Sequence, residues 1–464
     1  MYYYIVELSK YAIAFFMVVY TLECFWVLKG KESNQKAGIF IRQGIEMFCI
    51  QFLAYLTMCL QTGQIEYLFF YAFLQIALFS TMVLSQMLYP SVSRLLVNNM
   101  CMLLGIGFIM LTRLDYAKAI KQFFIVIAGL ILALIIPFII EKLRILKHLK
   151  WIYGSFGIAA LLLVLLLGQV TQGSKISYTI AGITLQPSEF VKLIYAFFVA
   201  ALLYKTKSFW QIGVSAIFAG IHVLILVASK DLGSSLIFFV GYLFTLLIAT
   251  GNYLYFTGGL MAGVGASIVA YHLFGHVRVR VQAFLDPFTV IDNEGYQMSQ
   301  SLFAIGSGNW FGMGLYQGTP SDIPYVESDF MFSAVAEELG GIFAICLILV
   351  CLTCFLAFLK LSMGLKDRFY RLVGCCMAVM YIFQIFLTIG GGIKFIPLTG
   401  VTLPLVSYGG SSVLTTVMMF AIMQGLQLIK YNEEVDNEEI EEDENVSPKK
   451  EITKKAGRRA GEKE

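Results

Sequence analysis

Residues 276–340 read HVRVRVQAFLDPFTVIDNEGYQMSQSLFAIGSGNWFGMGLYQGTPSDIPYVESDFMFSAVAEELG. This stretch contains no clean membrane span, although the chain around it is almost entirely hydrophobic. A loop of this length between packed helices is usually functional or disordered. Its aromatic residues, glycines and spaced acids favour order. We therefore predict that this loop is the working surface and that the surrounding helices are its scaffold.

The composition of the chain predicts what the scaffold is. Of its 464 residues, 58% are hydrophobic and 14% are charged, and the mean hydropathy is +0.77. Soluble domains carry about 25% charged residues, and no soluble core of this size could bury so much apolar surface. We therefore predict an all-α polytopic membrane protein. All nine cysteines fall within or beside apolar segments, which favours packing residues over disulfides or metal ligands.

Apolar segments of roughly 17 to 25 residues, each long enough to cross a bilayer, recur along the chain. The first is expected to be a retained span, because a basic start and a small-residue cleavage site are missing from it. We place about thirteen spans, at residues 4–28, 41–61, 65–89, 95–112, 119–140, 150–168, 188–204, 209–228, 232–250, 252–274, 329–359, 371–392 and 405–429.

The distribution of basic residues predicts the orientation of these spans, because Lys and Arg concentrate in cytoplasmic loops. Basic clusters follow spans one, five, seven and eleven, which all end on the same side of the membrane. We therefore expect the N-terminus outside, the C-terminus in the cytoplasm, and the long loop after span ten outside. The clusters are Lys29, Lys31, Lys36 and Arg42; Lys142, Arg144, Lys147 and Lys150; Lys205 and Lys207; and Lys360, Lys366, Arg368 and Arg371.

Two regions qualify this simple topology. Arg113, Lys118 and Lys121 follow span four and would lie outside. They are either tolerated exceptions flanked by Asp115, or residues that attract an anionic lipid head group at the outer surface. The tail at 431–464 is acidic and then basic, with few apolar residues, so we expect it to be disordered in the cytoplasm. It is either a docking segment for partners or anionic lipid, or an inert end.

Ionisable residues at the ends of two spans are the first candidates for chemistry. Glu189 and Lys192 stand at i,i+3 at the start of span seven and share a helix face, and Asp231 follows span eight. Charged groups in a membrane are costly unless they are paired, which makes function the default hypothesis. The alternative is a structural ion pair that ties spans seven and eight together. The predicted topology places all three residues toward the outer face, on the side of the long loop.

The loop itself adds acids and two arginines at alternate positions, Arg278 and Arg280. The guanidinium group suits phosphate recognition, although an interfacial anchor fits the spacing equally well. The glycines of residues 306–314 lack the strand–glycine–helix context of a nucleotide-binding loop. Residues 390–412 combine glycines and prolines, which favours irregular backbone lining a cavity. The acids of the loop are Asp286, Asp292, Glu294, Asp322, Glu327 and Asp329.

Several motifs in this order resemble the SEDS family of cell-wall proteins, of the FtsW, RodA and SpoVE type, over residues 95–430. They are QPSEFVKL (186–193), KDLGSSL (230–236), RVRVQAFLDPF (278–288), GYQMSQSLFAIGSGNWFGMGL (295–315), SDFMFSAVAEELG (328–340) and IPLTGVTLPLVSYGGSS (396–412). The resemblance implies a ten-helix core with an extracytoplasmic loop at 275–328, preceded by about three extra transmembrane helices within residues 1–94.

The resemblance also implies a function. It predicts a peptidoglycan glycosyltransferase of the bacterial cytoplasmic membrane that polymerises lipid II at the outer face, in division, elongation or sporulation. A class B penicillin-binding protein would be its transpeptidase partner, and lipid II and membrane lipids would bind it. No nucleic-acid partner is expected. A divalent cation, Mg²⁺ or Mn²⁺, could assist the reaction, although the sequence shows no dedicated ligand cluster for it.

Carried over by motif, the essential aspartate of the family corresponds best to Asp292, although the interval before GYQ is shorter than usual and Asp286 is the alternative. As general base it would take the proton of the acceptor sugar. Arg278, Arg280 and Lys192 would stabilise the departing diphosphate. The residues expected to contact substrate or to line the cavity are Glu189, Lys192, Asp231, Arg278, Arg280, Gln297, Lys394 and Ser407.

The chain departs from the family pattern at residues 324–330, PYVESDF, where a PEAHTDF-like segment is common. Tyr325 replaces the usual acid and Glu327 the histidine, which puts the details of the substrate in doubt. Two other functions stay open. A flippase or transporter of a lipid-linked precursor would also need charged residues in the membrane, although no internal repeat is visible. A non-catalytic scaffold that recruits a synthase is the third.

Overall fold

The computed structural model describes residues 2–29, 33–171, 174–180, 183–206, 208–292 and 295–460. These ranges form a bundle that is nearly all helical. Its helices are α1 (Tyr2–Lys29), α2 (Ser33–Thr62), α3 (Glu66–Leu88), α4 (Arg94–Leu114), α5 (Tyr116–Lys142), α6 (Lys150–Leu167), α7 (Pro187–Leu203), α8 (Phe209–Ala228), α9 (Leu232–Thr250), α10 (Tyr253–Leu273), α11 (Gly275–Leu285), α12 (Tyr296–Gly308), α13 (Met331–Met363), α14 (Arg368–Gly392) and α15 (Gly410–Ala460).

Each of the thirteen predicted spans corresponds to one of these helices. Within the described ranges, twelve helices are long and apolar enough to cross a membrane. The remaining predicted span is α7, which has 17 residues and begins with Pro187 in its first turn. The prediction of a polytopic helical membrane protein is confirmed. Of the basic and acidic residues used above, Lys31, Lys207 and Glu294 lie outside the described residues.

Three short strands between α6 and α7 add a small sheet to the helical bundle. They are β1 (Gln169–Thr171), β2 (Ser174–Ile180) and β3 (Ile183–Leu185), and they form an antiparallel sheet in the order β1-β2-β3. The sequence KISYTI alternates polar and apolar residues, which is the period of a strand. The run is so short between two long apolar segments that the sequence analysis passed over it.

The first three helices are joined to the rest of the bundle by buried hydrogen bonds. α1 packs against α13, and α2 and α3 pack against α4, whose residues 95–112 are all buried. Tyr20 of α1 donates its hydroxyl to Asn99 Oδ1 at 2.9 Å, and Asn99 Nδ2 donates to Thr353 Oγ1 at 2.9 Å. Such interhelical polar contacts stabilise membrane bundles. The N-terminal helices are therefore an integral part of the bundle.

The long loop is ordered, as predicted, over the residues that the structure describes. It contains α11, α12 and a 3₁₀ turn at Pro320–Asp322. α12 packs against α13, and the Ser301 hydroxyl lies 2.6 Å from the Ser333 hydroxyl and donates to the carbonyl of Gly392 at 2.8 Å. A kink at Gly340 (φ 90°) interrupts α13, and a Cβ there would collide with the backbone of residues 310–312.

The C-terminal tail continues the last span. α15 begins at Gly410 and continues as helix to Ala460, the last of the described residues. Glu and Lys, which are frequent in this segment, are strong helix formers. The expected disorder of the tail in solution and its cytoplasmic position stay predictions.

Candidate functional site

A buried ion pair stands at the start of α7. Lys192 Nζ donates to Glu189 Oε2 at 2.7 Å and to Gln384 Oε1 of α14 at 2.7 Å. The Thr415 hydroxyl of α15 donates to the same Glu189 oxygen at 3.2 Å. The predicted pair therefore exists, but it ties α7 to α14 and α15 rather than to span eight. Two of the three ammonium hydrogens of Lys192 are engaged within the protein.

Asp231 links the start of α7 to the start of α9. Its Oδ1 caps α9 by accepting from the Ser234 amide at 3.1 Å. Its Oδ2 accepts from the Ser188 hydroxyl at 3.2 Å and from Gln186 Nε2 at 3.3 Å. Burial raises the pKa of this carboxyl, and the charge of Glu189 raises it further. The Ser188 hydroxyl, adjacent in sequence to Glu189, thus connects Asp231 to the start of α7.

Arg280 brings the loop to this group of side chains. Its Nη1 donates to the carbonyl of Thr399 at 3.1 Å. Burial lowers the pKa of its guanidinium, while Asp329 and Asp231 raise it. A Cβ built at Gly400 would lie 3.7 Å from both Arg280 Nη2 and Asp329 Oδ2. The segment predicted to line a cavity thus runs beside α9 and between two charged side chains of the loop.

Asp329 is a member of this cluster that the sequence analysis did not single out. Burial raises the pKa of its carboxyl to about 6, against the opposing effects of the Ser328 hydroxyl and Arg280. A carboxyl that titrates near neutral pH inside a polar cluster is typical of functional sites. Its position immediately before an apolar span was visible in the sequence, but five other acids of the loop shared comparable surroundings.

A histidine also belongs to the site and was missed. Burial lowers the pKa of His276, and the positive charges of Arg280 and Lys230 lower it further. His276 and Arg280 lie on α11, one turn apart, and Lys230 lies in the turn between α8 and α9. We call these three residues the basic rim; its positive charge comes from Arg280 and Lys230, because the lowered pKa favours a neutral His276. Such a rim suits an anionic group.

The remaining predicted site residues have different surroundings. Asp286 and Asp292 are exposed on either side of the turn that follows α11, where a carboxylate can meet a ligand from outside. Arg278 is exposed, and Gln297 and Lys394 are partly buried. Ser407 is buried, and its hydroxyl accepts a hydrogen bond from the Leu403 amide at 3.1 Å, which stabilises a turn. The assignment of Asp292 stays a prediction.

Basic residues at the end of α4 and the start of α5 form ion pairs with the outer loop and with the start of α13. Arg113 Nε donates to Glu338 Oε1 at 2.9 Å, and its Nη2 donates to the carbonyl of Gly318 at 3.1 Å. Lys118 Nζ lies 2.5 Å from Glu327 Oε1 and 3.3 Å from Asp115 Oδ2. These acids account for both bases without a lipid. The unusual Glu327 of the PYVESDF segment is accommodated by Lys118.

The expected divalent cation would need a group of side chains that could act as its ligands. In the part of the chain that the structure describes, no three His, Cys, Asp or Glu side chains come together as metal ligands. The carboxylates of the cluster are instead engaged with hydroxyls, amides and Arg280. The cation stays a prediction.

Known proteins resemble this chain over most of its length. A family model for FtsW, RodA and SpoVE, described as cell cycle protein, matches residues 93–432. The chain belongs to this family. It is 32% identical over 364 residues to peptidoglycan glycosyltransferase RodA of Mycobacterium tuberculosis, covering 72% of this chain and 77% of that protein. It is 33% identical over 297 residues to the probable peptidoglycan glycosyltransferase FtsW of Aliivibrio salmonicida, covering 61% and 74%.

Solved structures of the family share the fold. A chain of a peptidoglycan synthase complex, solved in work on the coordination of polymerisation and crosslinking, matches with a TM-score of 0.63 and 24% identity, covering 73% of this chain and 98% of that one. The Thermus thermophilus rod shape determining protein RodA matches with a TM-score of 0.56 and 22% identity, covering 74% and 99%. The predicted family membership is confirmed, and the chain is a multi-pass protein of the cytoplasmic membrane. The matched residues begin immediately before α4 and end within α15.

Proposed function

We propose that this chain is a peptidoglycan glycosyltransferase that polymerises lipid II into glycan strands at the outer face of the cytoplasmic membrane. The observation that carries the proposal is the meeting of charged groups from distant parts of the sequence. Asp231 before α9, Arg280 of α11 and Asp329 before α13 lie around one loop segment, residues 399–401. The names of the relatives, peptidoglycan glycosyltransferases RodA and FtsW, support the same activity.

The orientation belongs to the proposal. The basic clusters after spans one, five, seven and eleven put these loops in the cytoplasm. The N-terminus then lies outside and the tail inside, and the cluster opens outward with the long loop. In this orientation Arg113 and Lys118 lie outside, against the positive-inside rule. Glu338 and Glu327 neutralise them, so these two bases do not oppose the orientation.

The proposed reaction transfers a glycan chain between lipid carriers. The 4-hydroxyl oxygen of the acceptor sugar attacks the anomeric carbon of the growing chain and forms the new glycosidic bond. The bond from that carbon to the diphosphate breaks, and the lipid diphosphate leaves with the electron pair. Asp292 takes the proton of the attacking hydroxyl, a role that usually contributes a factor of about 10² to 10⁴ in rate.

The basic rim is the proposed site for the diphosphate. Arg280 and Lys230 supply its positive charge, and the guanidinium group matches phosphate oxygens in geometry and charge. Arg278, two residues from Arg280 on α11, is exposed on a different face of that helix. Lys192 was predicted to join them. Its ammonium is already held by Glu189 and Gln384, so we assign it to the internal ion pair instead.

A transpeptidase partner is also proposed. The structural relative in a peptidoglycan synthase complex was solved in work on the coordination of polymerisation and crosslinking. A class B penicillin-binding protein would supply crosslinking to the strands that this chain makes.

Polymerisation of labelled lipid II by the purified chain, with and without its partner, tests the proposal. The chain should produce a ladder of glycan strands, and Asp292→Asn should abolish it without loss of folded protein. Asp322→Asn is the matched control, because Asp322 is another exposed acid of the same loop. Asp286→Asn tests the alternative base. Movement of lipid II across a bilayer without any polymer would contradict the proposal.

A further inference from the structure

Two of the three N-terminal helices, α1 and α3, contact the outer loop, and α2 and α3 pack against α4. They precede the residues that the family model matches, which begin at 93. The Tyr11 ring of α1 packs against the Phe311 ring of the loop, with centroids 5.1 Å apart. The Tyr316 hydroxyl of the loop donates to the Tyr67 hydroxyl of α3 at 3.3 Å. Two helices of the N-terminal unit therefore contact one loop segment, residues 311–316.

Tyr316 connects this contact to the ion pair that holds the loop. The Arg113 guanidinium lies 4.2 Å from the centre of the Tyr316 ring. The Tyr316 amide donates to Glu338 Oε1 at 3.1 Å, and Arg113 Nε donates to the same oxygen at 2.9 Å. The other carboxylate oxygen of Glu338 is buried without a partner in the described structure. Glu338 Oε1 thus accepts both hydrogen bonds, so the position of Tyr316 in the loop and the position of the Arg113–Glu338 ion pair depend on each other.

The same segment leads directly to the proposed site. After Tyr316, the Thr319 amide donates to Glu337 Oε1 at 2.9 Å, and Ile323 and Val326 are buried. The chain then reaches Asp329 beside Arg280. Residues 316–329 are therefore fastened at one end by α3 and α4, and they present Asp329 at the other.

We propose that α1–α3 is a built-in positioning unit for the outer loop and that Tyr67 is its positioning residue. The unit fixes the aromatic and ionic clamp of Tyr67, Tyr316, Arg113 and Glu338. Through residues 316–329 the clamp sets where Asp329 stands relative to Arg280. This inference rests on the proposed function, because it assigns the unit a role in that site.

Hydroxyl removal tests the inference in the full chain. Tyr67→Phe and Tyr316→Phe each remove one partner of the same hydrogen bond and keep the rings. We expect each variant to lower kcat/KM for lipid II about fivefold, which corresponds to about 1 kcal/mol. The double variant should lose no more than either single one, because both remove one interaction. Tyr71→Phe is the matched control, since the buried Tyr71 hydroxyl, one turn along α3, has no hydrogen-bond partner in the described structure.

Hydrogen exchange provides a second readout that does not need activity. The amides of residues 311–319 should exchange faster in Tyr67→Phe and Tyr316→Phe than in the wild type and in Tyr71→Phe, while those of α4 stay protected. Additive losses in the double variant, or unchanged loop exchange in Tyr67→Phe, would overturn the inference. If the wild-type chain makes no polymer, the proposed function fails, and the exchange measurement still decides whether α1–α3 positions the loop.

Discussion

Replacing Lys192 with methionine would remove the buried cation that joins α7 to α14. The Lys192 side chain is 3% exposed and that of Glu189 is 9% exposed. After the change, the Glu189 carboxylate would retain the Thr415 hydroxyl but no positive partner. Removing one member of a buried ion pair costs about 3–5 kcal/mol, because the other charge stays buried. Methionine conserves most of the side-chain volume, so the cost of a cavity is small.

Equilibrium unfolding in mixed detergents measures this loss of unfolding free energy. The double variant Glu189→Gln with Lys192→Met should recover most of it, because no uncompensated charge remains. Lys121→Met is the control, since Lys121 is exposed on α5 and its replacement should change the free energy by about 0.5 kcal/mol or less. A Lys192→Met variant within about 1 kcal/mol of the wild type, or a double variant no better than the single one, would refute the buried ion pair.

Three further predictions concern Asp329 and two residues that lie near the outer loop, Gly400 and Lys118. The pKa of Asp329 is raised from 3.8 to about 6, so its ionisation destabilises the fold as pH rises through that range. The unfolding free energy of Asp329→Asn should therefore increase relative to that of the wild type as pH rises from about 4 to about 7. A difference between the two proteins that does not change with pH would contradict this. Gly400→Ala places a non-glycine residue at φ 73° beside Arg280. It should lower the unfolding free energy by about 1–2 kcal/mol and reduce polymerisation. Unchanged thermal stability would contradict this. Lys118→Gln removes a half-buried pair with Glu327, so polymerisation should fall by less than about fivefold; complete loss would show that Lys118 acts on the substrate.

The membrane fold was predictable because its signal is local. A bilayer-length apolar run such as residues 119–140 can hardly be anything other than a span, and α5 covers it. The strands at residues 169–185 were missed because a few alternating residues carry little weight between two spans. The helix in the tail is hard to predict because its charge blocks indicate disorder while its Glu and Lys residues favour a helix.

The site was only partly predictable, because its geometry depends on contacts between distant segments. The spacing of Glu189 and Lys192 on one helix predicted that they share a face, and in the structure they form an ion pair. The choice of Asp329 among six acids of the loop needed the position of Arg280 and of Gly400, which no local pattern contains. The roles of Arg113 and Lys118 likewise depended on Glu338 and Glu327, more than 200 residues away.

The side of the membrane on which polymerisation occurs tests the central claim most directly. The chain would be reconstituted into liposomes in a known orientation, and labelled lipid II would be confined to one leaflet. We predict glycan strands when lipid II occupies the leaflet that faces the 275–328 loop, and none when it occupies the other leaflet. Strands made from the leaflet that faces the Lys142–Lys150 side, or no strands from either leaflet, would contradict the account.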